Sequence, residues 1–286
     1  MRILQKPADL RAALDEARSR GRTIGLVPTM GALHQGHLTL CRASVGENDV
    51  SVVSVFVNPL QFGVGEDFGR YPRNLDADAA LLEQEGVHFL FAPEPAAMYP
   101  PGFQTSVDVA ELSGVLEGEV RPGHFRGVAT VVLKLFNAAG PCRAYFGEKD
   151  YQQLQLVKRM AADLDVPVTI CSVPTVREAD GLAMSSRNAY LSREERAAAP
   201  AIYQALLAAR DSALQGEIDA NRIIHVALDR LAAEPLLHLD YLSLVDPSTL
   251  APINHLVSEA RILAAVRLGS TRLIDNVAIC PTERAR

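Results

Sequence analysis

Two hydrophobic patterns alternate along the first 175 positions of the chain. Compact β-branched runs, which are typical of buried strands, are separated by longer segments with apolar residues at helical spacing. Strands are predicted at residues 23–27, 50–57, 87–91, 143–146 and 167–173, and helices at 75–84, 127–139 and 151–164, with a further helical pattern over 38–45. Strands that alternate with helices predict βαβ units around a parallel sheet.

The pattern changes after Val176. Ser192 and Glu195 have the spacing of a capping box, which predicts a long helix to about Leu214. A second helix is predicted near 221–231, and strands at 237–245, 260–268 and 271–279. The sequence therefore predicts an α/β fold in two domains. Residues 1–175 form a Rossmann-like parallel sheet with helices on both faces, and residues 176–286 form a smaller α+β domain.

Three polar segments directly follow predicted strands. They are Thr29–His37, Asn58–Phe62 and Gly147–Asp150. In a parallel α/β sheet, ligands bind at the carboxyl ends of the strands. We therefore expect all three segments to contribute to one site.

The first segment holds a His-x-Gly-His sequence at a predicted strand-to-helix turn. His34 and His37 are three residues apart, so both rings can face one side of the turn and donate N–H groups to a phosphate. The helix start adds backbone N–H groups and a positive dipole end. Gly31 and Gly36 would let the backbone approach a ligand closely. The alternative is that the histidines only cap the helix or face solvent.

The other strand-end candidates also have structural alternatives. Gln61 can hold a hydroxyl or a carboxylate through its amide, but its segment can also be a turn set by Pro59. Lys149 would meet a phosphate as a point charge. Asp150 and Gln153 fit a ligand site and equally fit a helix capping box.

Two segments away from these strand ends add charge. Met184–Asn188 is a polar turn in which Arg187 could clamp a phosphate, as part of a mobile lid or simply of a surface loop. Asp76 and Asp78 begin a predicted helix. The helix dipole alone favours acidic residues there, and the functional alternative is a carboxylate near Mg²⁺ on ATP phosphates.

Composition narrows the classes of function. The net charge is −6 without any Lys/Arg run, which disfavours nucleic acid as a partner. No apolar run approaches the roughly 18 residues of a membrane span, so no membrane partner is expected. The four cysteines lie far apart, which predicts buried thiols and, with a polar N-terminus, a cytoplasmic protein. Arg121, Arg126 and Arg143 stand as isolated cations that could serve an anionic small molecule or the surface.

No sequence of the P-loop or nucleophile-elbow type is present, and no cysteine has a nucleophilic setting. Phosphate positioning is therefore favoured over covalent catalysis. Together the motifs resemble one family, the pantothenate synthetases (pantoate–β-alanine ligases) of the His-x-Gly-His nucleotidyltransferase superfamily. The resemblance runs nearly end to end and is carried by Pro28–His37, Val57–Phe62, Arg70–Arg73, Arg121–Val128, Phe146–Gln153, Arg177–Ser192 and Arg272–Asn276.

The resemblance implies an ATP-dependent ligation in two steps. Pantoate carboxylate attacks the α-phosphate of ATP, which gives enzyme-bound pantoyl adenylate and pyrophosphate. The β-alanine amine then attacks the acyl carbon and gives pantothenate and AMP. ATP is thus implied as a substrate, with Mg²⁺ as its cation, and the protein is implied to be a homodimer.

The resemblance also implies roles for individual residues. His37 would be the proton donor and would act with His34 and Lys149 in catalysis. Gln61 would bind pantoate and border β-alanine, Gln153 would bind pantoate, and Asp78 is the carboxylate assigned to Mg²⁺. The implied ATP site comprises Met30, Gly31, Ala32, Leu33, His34, Gln35, Gly36, His37, Gly147, Glu148, Lys149, Asp150, Val176, Met184, Ser185, Ser186 and Arg187.

Other functions remain open at this point. Another enzyme of the same superfamily, such as a cytidylyltransferase, would use CTP and a phosphorylated alcohol. A nucleotide-sensing module would keep the fold without turnover. RNA binding of the tRNA-synthetase kind is disfavoured because the acidic balance offers no electrostatic footprint.

Overall fold

The predicted βαβ alternation forms a six-stranded sheet in the computed structural model, which describes residues 1–63 and 65–281. The strands are β1 (Arg2–Leu4), β2 (Ile24–Thr29), β3 (Val50–Val55), β4 (Phe89–Phe91), β5 (Cys142–Gly147) and β6 (Val168–Val173). They pair in the order β1-β4-β3-β2-β5-β6, and every pair is parallel. The predicted parallel α/β sheet is confirmed.

Eight α-helices accompany this sheet in the described residues. They are α1 (Pro7–Ser19), α2 (Gln35–Glu47), α3 (Leu75–Gln84), α4 (Pro95–Met98), α5 (Ala110–Ser113), α6 (Glu117–Val120), α7 (His124–Ala139) and α8 (Tyr151–Asp163). The sequence patterns predicted α3 with its observed bounds. They did not predict β1, α1 or the three one-turn helices α4 to α6.

The strand order places a crevice at the sheet's centre. From β2 the chain crosses to β3 and then β4 in one direction, and from β4 it crosses back past β2 to β5. Because such crossovers are right-handed, α2 and α3 cover one face, and α1 and α7, which contact each other, cover the opposite face. The strand order therefore reverses between β2 and β5, where open α/β sheets bind ligands beyond the carboxyl ends of the strands.

Alternate side chains of β2 supply both faces of the core. Leu26 and Val27 are both fully buried and point to opposite faces. Val27 packs with Leu40 and Cys41 of α2 and with Leu82 of α3. The same strand thus anchors the helix that begins at the His-x-Gly-His turn.

The C-terminal region forms its own sheet and core. Its strands are β7 (Leu237–Val245), β8 (Ala260–Leu268) and β9 (Thr271–Ile279), antiparallel in the order β7-β8-β9, and its helices are α9 (Arg193–Ala198), α10 (Ala201–Leu214) and α11 (Ala220–Ala232). Alanines of α10 such as Ala205 and Ala209 pack in one buried cluster with Ile262 and Val266 of β8. The predicted α+β architecture is confirmed.

The prediction of one long helix that reaches Leu214 is wrong, because the structure has two helices there. The capping box forms as predicted, with the Ser192 hydroxyl accepting the Glu195 N–H at 3.2 Å. The helix ends at Ala198, however, and a new one begins at Ala201. Pro200 lies between them and has no N–H to continue the hydrogen-bond ladder.

The described chain divides into two units. The first comprises Met1–Glu148 and Gln152–Pro174, and the second comprises Lys149–Tyr151 and the chain from Thr175 onward. The segment Lys149–Tyr151 therefore belongs to the second unit although it lies between β5 and α8 in the sequence.

Cysteine burial differs from the prediction. Cys41 is buried, Cys142 and Cys171 are half-buried and Cys280 is exposed, and none forms a disulfide. Burial raises the pKa of the Cys41 and Cys142 thiols to about 12.

Among the described residues, no helix combines the length and apolar character needed to cross a membrane.

Candidate active site

The His-x-Gly-His turn joins β2 to α2. His34 is the N-cap of α2, and its Nδ1 accepts the Gly36 N–H at 3.2 Å. Because Nδ1 is the acceptor, the neutral ring carries its proton on Nε2. The centroids of the His34 and His37 rings are 4.1 Å apart. Capping and phosphate binding are thus compatible at His34, and the two rings lie side by side as the spacing predicted.

The backbone before His34 has an uncommon left-handed conformation at two consecutive residues. Gly31 has φ of 81° and Ala32 has φ of 51°. The N–H groups of Ala32 and Leu33 both donate to the Asp78 carboxylate, at 3.0 and 2.8 Å. A Cβ at Gly31 would lie 2.7 Å from Asp78 Oδ2 and 2.8 Å from Val55 Cγ1. The protein itself therefore gives a reason for Gly31, because Asp78 and Val55 occupy the space that a Cβ would need, and the expected close approach of a ligand stays a prediction.

Asp78 is a poor fit to a magnesium ligand. Its side chain is 3% exposed, and each carboxylate oxygen already accepts a backbone N–H. Mg²⁺ in proteins keeps several waters, which such a buried position does not admit. Burial raises the pKa of the Asp78 carboxyl, and the Leu33 and Ala32 N–H groups oppose that rise. Within the described residues, no group of three or more His, Cys, Asp or Glu could hold a metal ion.

The amide of Gln61 has one orientation. Asn58 Nδ2 donates to Gln61 Oε1 at 3.0 Å and to the Gly127 carbonyl, also at 3.0 Å. Asn58 Oδ1 accepts the Leu60 N–H at 3.2 Å and the Tyr99 hydroxyl at 2.7 Å. Because the Leu60 N–H only donates and the Gly127 carbonyl only accepts, the Asn58 amide cannot be reversed. Gln61 Nε2 consequently points towards Met30 Sδ, at 3.1 Å. Gln61 thus offers N–H donors next to the turn that holds the histidines.

A charged cluster holds the Gln61 backbone. Arg121 donates to both oxygens of Glu66, at 2.8 and 2.7 Å. Arg121 also lies 3.1 Å from His124 Nε2, and His124 Nδ1 lies 2.8 Å from the Gln61 carbonyl. Since a guanidinium only donates and a carbonyl only accepts, His124 is neutral with its proton on Nδ1. Arg121, predicted as an isolated cation, is instead paired.

The pKa values of this cluster follow from its contacts. Burial and the neighbouring Arg121 lower the pKa of His124 to about 4. Burial by itself would raise the pKa of Glu66, but the hydrogen bonds and charge of Arg121 outweigh it and lower that pKa to about 2. The other two cations are also paired, Arg126 with Asp108 at 3.7 Å and Arg143 with Glu47 at 3.3 Å.

Two neighbouring glutamines of α8 differ in environment. Gln152 is 2% exposed, and its amide is engaged by the Glu117 N–H and by the carbonyls of Leu112 and Val115. Gln153 is half-buried. Gln152 therefore serves the packing of α5 and α6, and the ligand role of Gln153 stays a prediction.

The second unit holds one group of candidates in a loop, Val176 and Met184–Arg187, and another in a short segment, Lys149 and Asp150, whereas Gly147 and Glu148 belong to the first unit. The Val176 carbonyl accepts the Met184 N–H at 3.0 Å, and Ser185 Oγ accepts the Arg187 N–H at 3.3 Å. Lys149 Nζ lies 3.7 Å from Asp150 Oδ1, and the Lys149 side chain is 20% exposed. The loop and the segment together carry hydroxyl groups and two cations, which are suited to anionic oxygens.

A parallel α/β sheet with a His-x-Gly-His turn after its central strand defines a class, the Rossmann-like enzymes that transfer nucleotidyl groups. The family model described as Pantoate-beta-alanine ligase matches residues 2–278, and the chain belongs to that family. It is accordingly an enzyme of the ligase class. The predicted family and enzyme class are confirmed.

Known relatives agree along the whole chain. A protein of Rhizobium meliloti (strain 1021) named pantothenate synthetase is 54% identical over 282 residues, which cover 98% of this chain and 97% of that protein. A crystal structure of pantothenate synthetase from Thermus thermophilus has a TM-score of 0.94 at 52% identity, covering 98% of this chain and 100% of that one. A pantoate-beta-alanine ligase from Francisella tularensis, complexed with beta-gamma ATP and beta-alanine, has a TM-score of 0.80 at 34% identity, covering 97% of each chain.

Several residues of the site escaped sequence reasoning. Tyr99 and His124 were given no role, and Asn58 and Arg121 were noted without their actual contacts. Each of the four also has a partner 41 to 69 residues away along the chain. The signal available for Arg121 and His124 was their place in the Arg121–Val128 block that carries the family resemblance.

Proposed function

We propose that this ligase condenses (R)-pantoate with β-alanine, using ATP, to give pantothenate, AMP and pyrophosphate through a pantoyl adenylate. One observation carries the proposal beyond family membership. The oriented amide of Gln61 contacts Met30, which belongs to the turn that presents His34 and His37. A pantoate carboxylate held by Gln61 would therefore lie next to groups suited to ATP phosphates.

In the proposed first step, the pantoate carboxylate attacks the α-phosphate and pyrophosphate leaves. Attack at phosphorus needs alignment and neutralisation of charge rather than a protein nucleophile. His37 donates a proton or hydrogen bond to the phosphate oxygens, with His34 Nε2 as a second donor. Lys149 and Arg187 supply positive charge, and Ser185 and Ser186 supply hydroxyl donors. Mg²⁺ bound to ATP would add charge on the phosphates, and in this proposal it reaches them without Asp78.

The remaining contacts of the proposed nucleotide site come mainly from backbone and neighbouring side chains. Met30 to His37 line the phosphates, Gly147 to Asp150 contact the nucleotide, and Val176 with Met184 borders the adenine.

In the proposed second step, the β-alanine amine attacks the acyl carbon and AMP leaves. Gln61 borders the amine, and Gln153 holds the pantoyl group. An acyl adenylate hydrolyses in water, so the site must exclude water until the amine arrives. Both glutamines are uncharged and can position a polar chain without competing for the phosphates.

The proposal includes a cytoplasmic homodimer. Strand β6 pairs only with β5 in the described part of the chain, and its Val168, Ile170 and Val173 are half-buried. A second copy seated along this edge would cover them. Light scattering on a sizing column should give twice the chain mass, and a mass that stays at one chain up to micromolar concentrations would remove the dimer from the proposal.

ATP–pyrophosphate exchange with pantoate present and β-alanine absent tests the reaction. Exchange that requires pantoate establishes the adenylate step. Pyrophosphate release from CTP with a phosphorylated alcohol, without exchange from ATP, would move the protein to another enzyme of the superfamily. Nucleotide binding without either activity would indicate a sensing module.

Changing His37 to Ala tests the proposed proton donor. Loss of one transition-state donor lowers rates by roughly 10²- to 10³-fold in other enzymes, so the exchange rate of His37→Ala should fall by that factor. A rate within a few-fold of wild type would refute the role of His37.

A further inference from the structure

The Arg272–Asn276 block carries part of the family resemblance, yet no step of the reaction uses it. Its last two residues, Asp275 and Asn276, are 4% and 3% exposed and lie in β9. Buried polar side chains are normally present because a hydrogen-bond partner requires them. Their partners are residues of the phosphate-binding segments.

Asn276 holds the backbone of Lys149. Asn276 Nδ2 donates to the Lys149 carbonyl at 2.9 Å. Asn276 Oδ1 accepts Arg261 Nε at 2.7 Å, and since a guanidinium only donates, the Asn276 amide cannot be reversed. The Arg261 guanidinium also lies 4.1 Å from the ring centroid of Tyr151. These contacts explain why Lys149–Tyr151 groups with the second unit.

Asp275 holds Arg177, which precedes the Met184–Arg187 loop in the chain. Its two oxygens accept both terminal nitrogens of Arg177, at 2.6 and 2.9 Å. Arg177 donates to the Gly181 carbonyl at 3.1 Å and lies 3.6 Å from the ring centroid of Tyr203. Asp275 Oδ1 also accepts the N–H of Asn276 at 2.7 Å. Two consecutive residues of β9 thus hold Lys149 and Arg177, and Arg177 forms an antiparallel bridge with Ala183, the residue before Met184.

We propose that Asn276 is a positioning residue for Lys149, and that the neighbouring Asp275–Arg177 ion pair holds Asn276 in place for this role. This inference rests on the proposed phosphate role of Lys149. A bidentate ion pair and an amide of fixed orientation leave little freedom at the backbone from which Lys149 extends. Without the Asn276 donor, the Lys149 carbonyl has no hydrogen bond from Asn276, so the Lys149 backbone can shift and move the ammonium group away from the phosphates.

Asn276→Asp is the sharpest variant. The carboxylate keeps an acceptor for Arg261 but has no N–H for the Lys149 carbonyl, and its oxygen repels that carbonyl. The kcat of pantoate-dependent exchange per active site, counted from the burst of pyrophosphate, should fall by roughly 10- to 10²-fold, as small misplacements of catalytic groups do. Counting active sites separates this loss from a smaller folded fraction.

A double-mutant cycle with Lys149→Ala tests whether Asn276 acts on the reaction through the Lys149 side chain. If Asn276 acts through the Lys149 side chain, Asn276→Asp should change kcat by less than about twofold in the Lys149→Ala background. Losses that multiply in the double variant would overturn the inference. A wild-type exchange rate for Lys149→Ala alone would instead overturn the proposed function of Lys149, so the two failures are distinguishable.

Two further variants protect the test. Asn276→Ala removes the donor without adding charge and should show the same dependence on Lys149 if Asn276→Asp folds poorly. Asn48→Asp makes the same chemical change at a buried amide of the first unit, which donates to Ser44 and Tyr145. Exchange per active site should be unchanged in Asn48→Asp, and a loss equal to that of Asn276→Asp would overturn the positioning role.

Discussion

At the scale of single residues, the site relies on amides that have only one possible orientation. Asn58 faces the Gly127 carbonyl, which can only accept, and Asn276 faces the Arg261 guanidinium, which can only donate. The orientation of each amide is therefore fixed, and so is the atom that it presents to its next partner. Because Asn58 Nδ2 donates to Gln61 Oε1, the Gln61 amide is oriented as well and presents its N–H donors on the other side. A ligand that binds there through a carboxylate or hydroxyl oxygen meets groups that are already aligned.

Asp78→Asn tests whether Asp78 holds the turn or a metal ion. An amide keeps one acceptor, so one of the N–H groups of Ala32 and Leu33 loses its partner at a cost of about 1–3 kcal/mol. We expect kcat/KM for ATP to fall at least tenfold in exchange assays, with the half-saturating Mg²⁺ concentration unchanged. Asp76→Asn, an exposed position in the first turn of the same helix, should behave as wild type. A large rise in the Mg²⁺ requirement of Asp78→Asn would assign Asp78 to the metal.

Gln61→Ala tests the proposed substrate role of Gln61. Removing the oriented amide should weaken pantoate binding roughly tenfold or more, since hydrogen bonds to a charged group contribute about 1.5–3 kcal/mol. ATP binding should be preserved. Calorimetric titrations with each ligand measure both effects, and equal losses for pantoate and ATP would count against a substrate-specific role.

At the scale of elements, the first turn of α7 packs tightly against the turn that carries Gln61. A Cβ at Gly127 would lie 2.2 Å from the Leu60 carbonyl oxygen and 2.6 Å from the Gln61 nitrogen. Both contacts are with backbone, which cannot move aside as a flexible side chain can. The position of Gln61 therefore depends on Gly127.

Gly127→Ala tests whether this close packing outweighs the higher helix propensity of alanine. Alanine favours a helix interior over glycine by about 1 kcal/mol, but the new Cβ must displace the Gln61 turn. Pantoate affinity should fall at least tenfold by calorimetry. Gly46→Ala in α2, where a Cβ meets nothing within 4 Å, should leave pantoate affinity unchanged and raise the melting temperature slightly. Unchanged pantoate affinity in Gly127→Ala would show that the turn does not need the glycine.

Elements whose signal is local could be predicted from the sequence. Helix α3 and strands β7 to β9 have the predicted bounds because apolar periodicity and turn residues mark both ends. The break at Pro200 was not predicted because the Ala-rich pattern continues on both sides of it. Strand β1 is only three residues long, too short for a periodic pattern.

Long-range contacts of the site could not be predicted in the same way. The strand-end motifs and the closeness of the two histidine rings could be predicted because each motif lies within a few residues of a strand. The carboxylate of Asp78 meets a turn 45 and 46 residues earlier in the chain, and Asn276 meets Lys149 across 127 residues. No local pattern encodes such pairings, since they depend on the tertiary path of the chain.

At the scale of the whole molecule, His124 links the site to global stability. Its pKa is about 4 in the folded protein against 6.5 ordinarily, so between these values the unfolded chain binds the extra proton. Stability from neutral His124 is therefore complete above about pH 6.5 and is lost as pH falls towards 4. The loss is at most about 3 kcal/mol.

His124→Asn should remove this part of the pH dependence. Asparagine can still donate to the Gln61 carbonyl but does not titrate. In urea unfolding at pH 7, 6, 5 and 4.5, the free energy of unfolding of wild type should decline more steeply than that of His124→Asn. Parallel declines would mean that His124 binds its proton equally well in both states. Glu66 adds no difference above pH 4.5, because its lowered pKa affects stability only below that value.

The segment Lys149–Tyr151 has a consequence for recombination between homologues. The chain passes between the two units three times, at 148/149, 151/152 and 174/175. A chimera spliced only at 174/175 would therefore pair Lys149 and Tyr151 from one parent with Asn276 and Arg261 from the other. A chimera with the C-terminal region of a homologue should keep these contacts only when residues 149–151 come from the same parent as that region. The second unit is therefore compact in space but not continuous in the sequence.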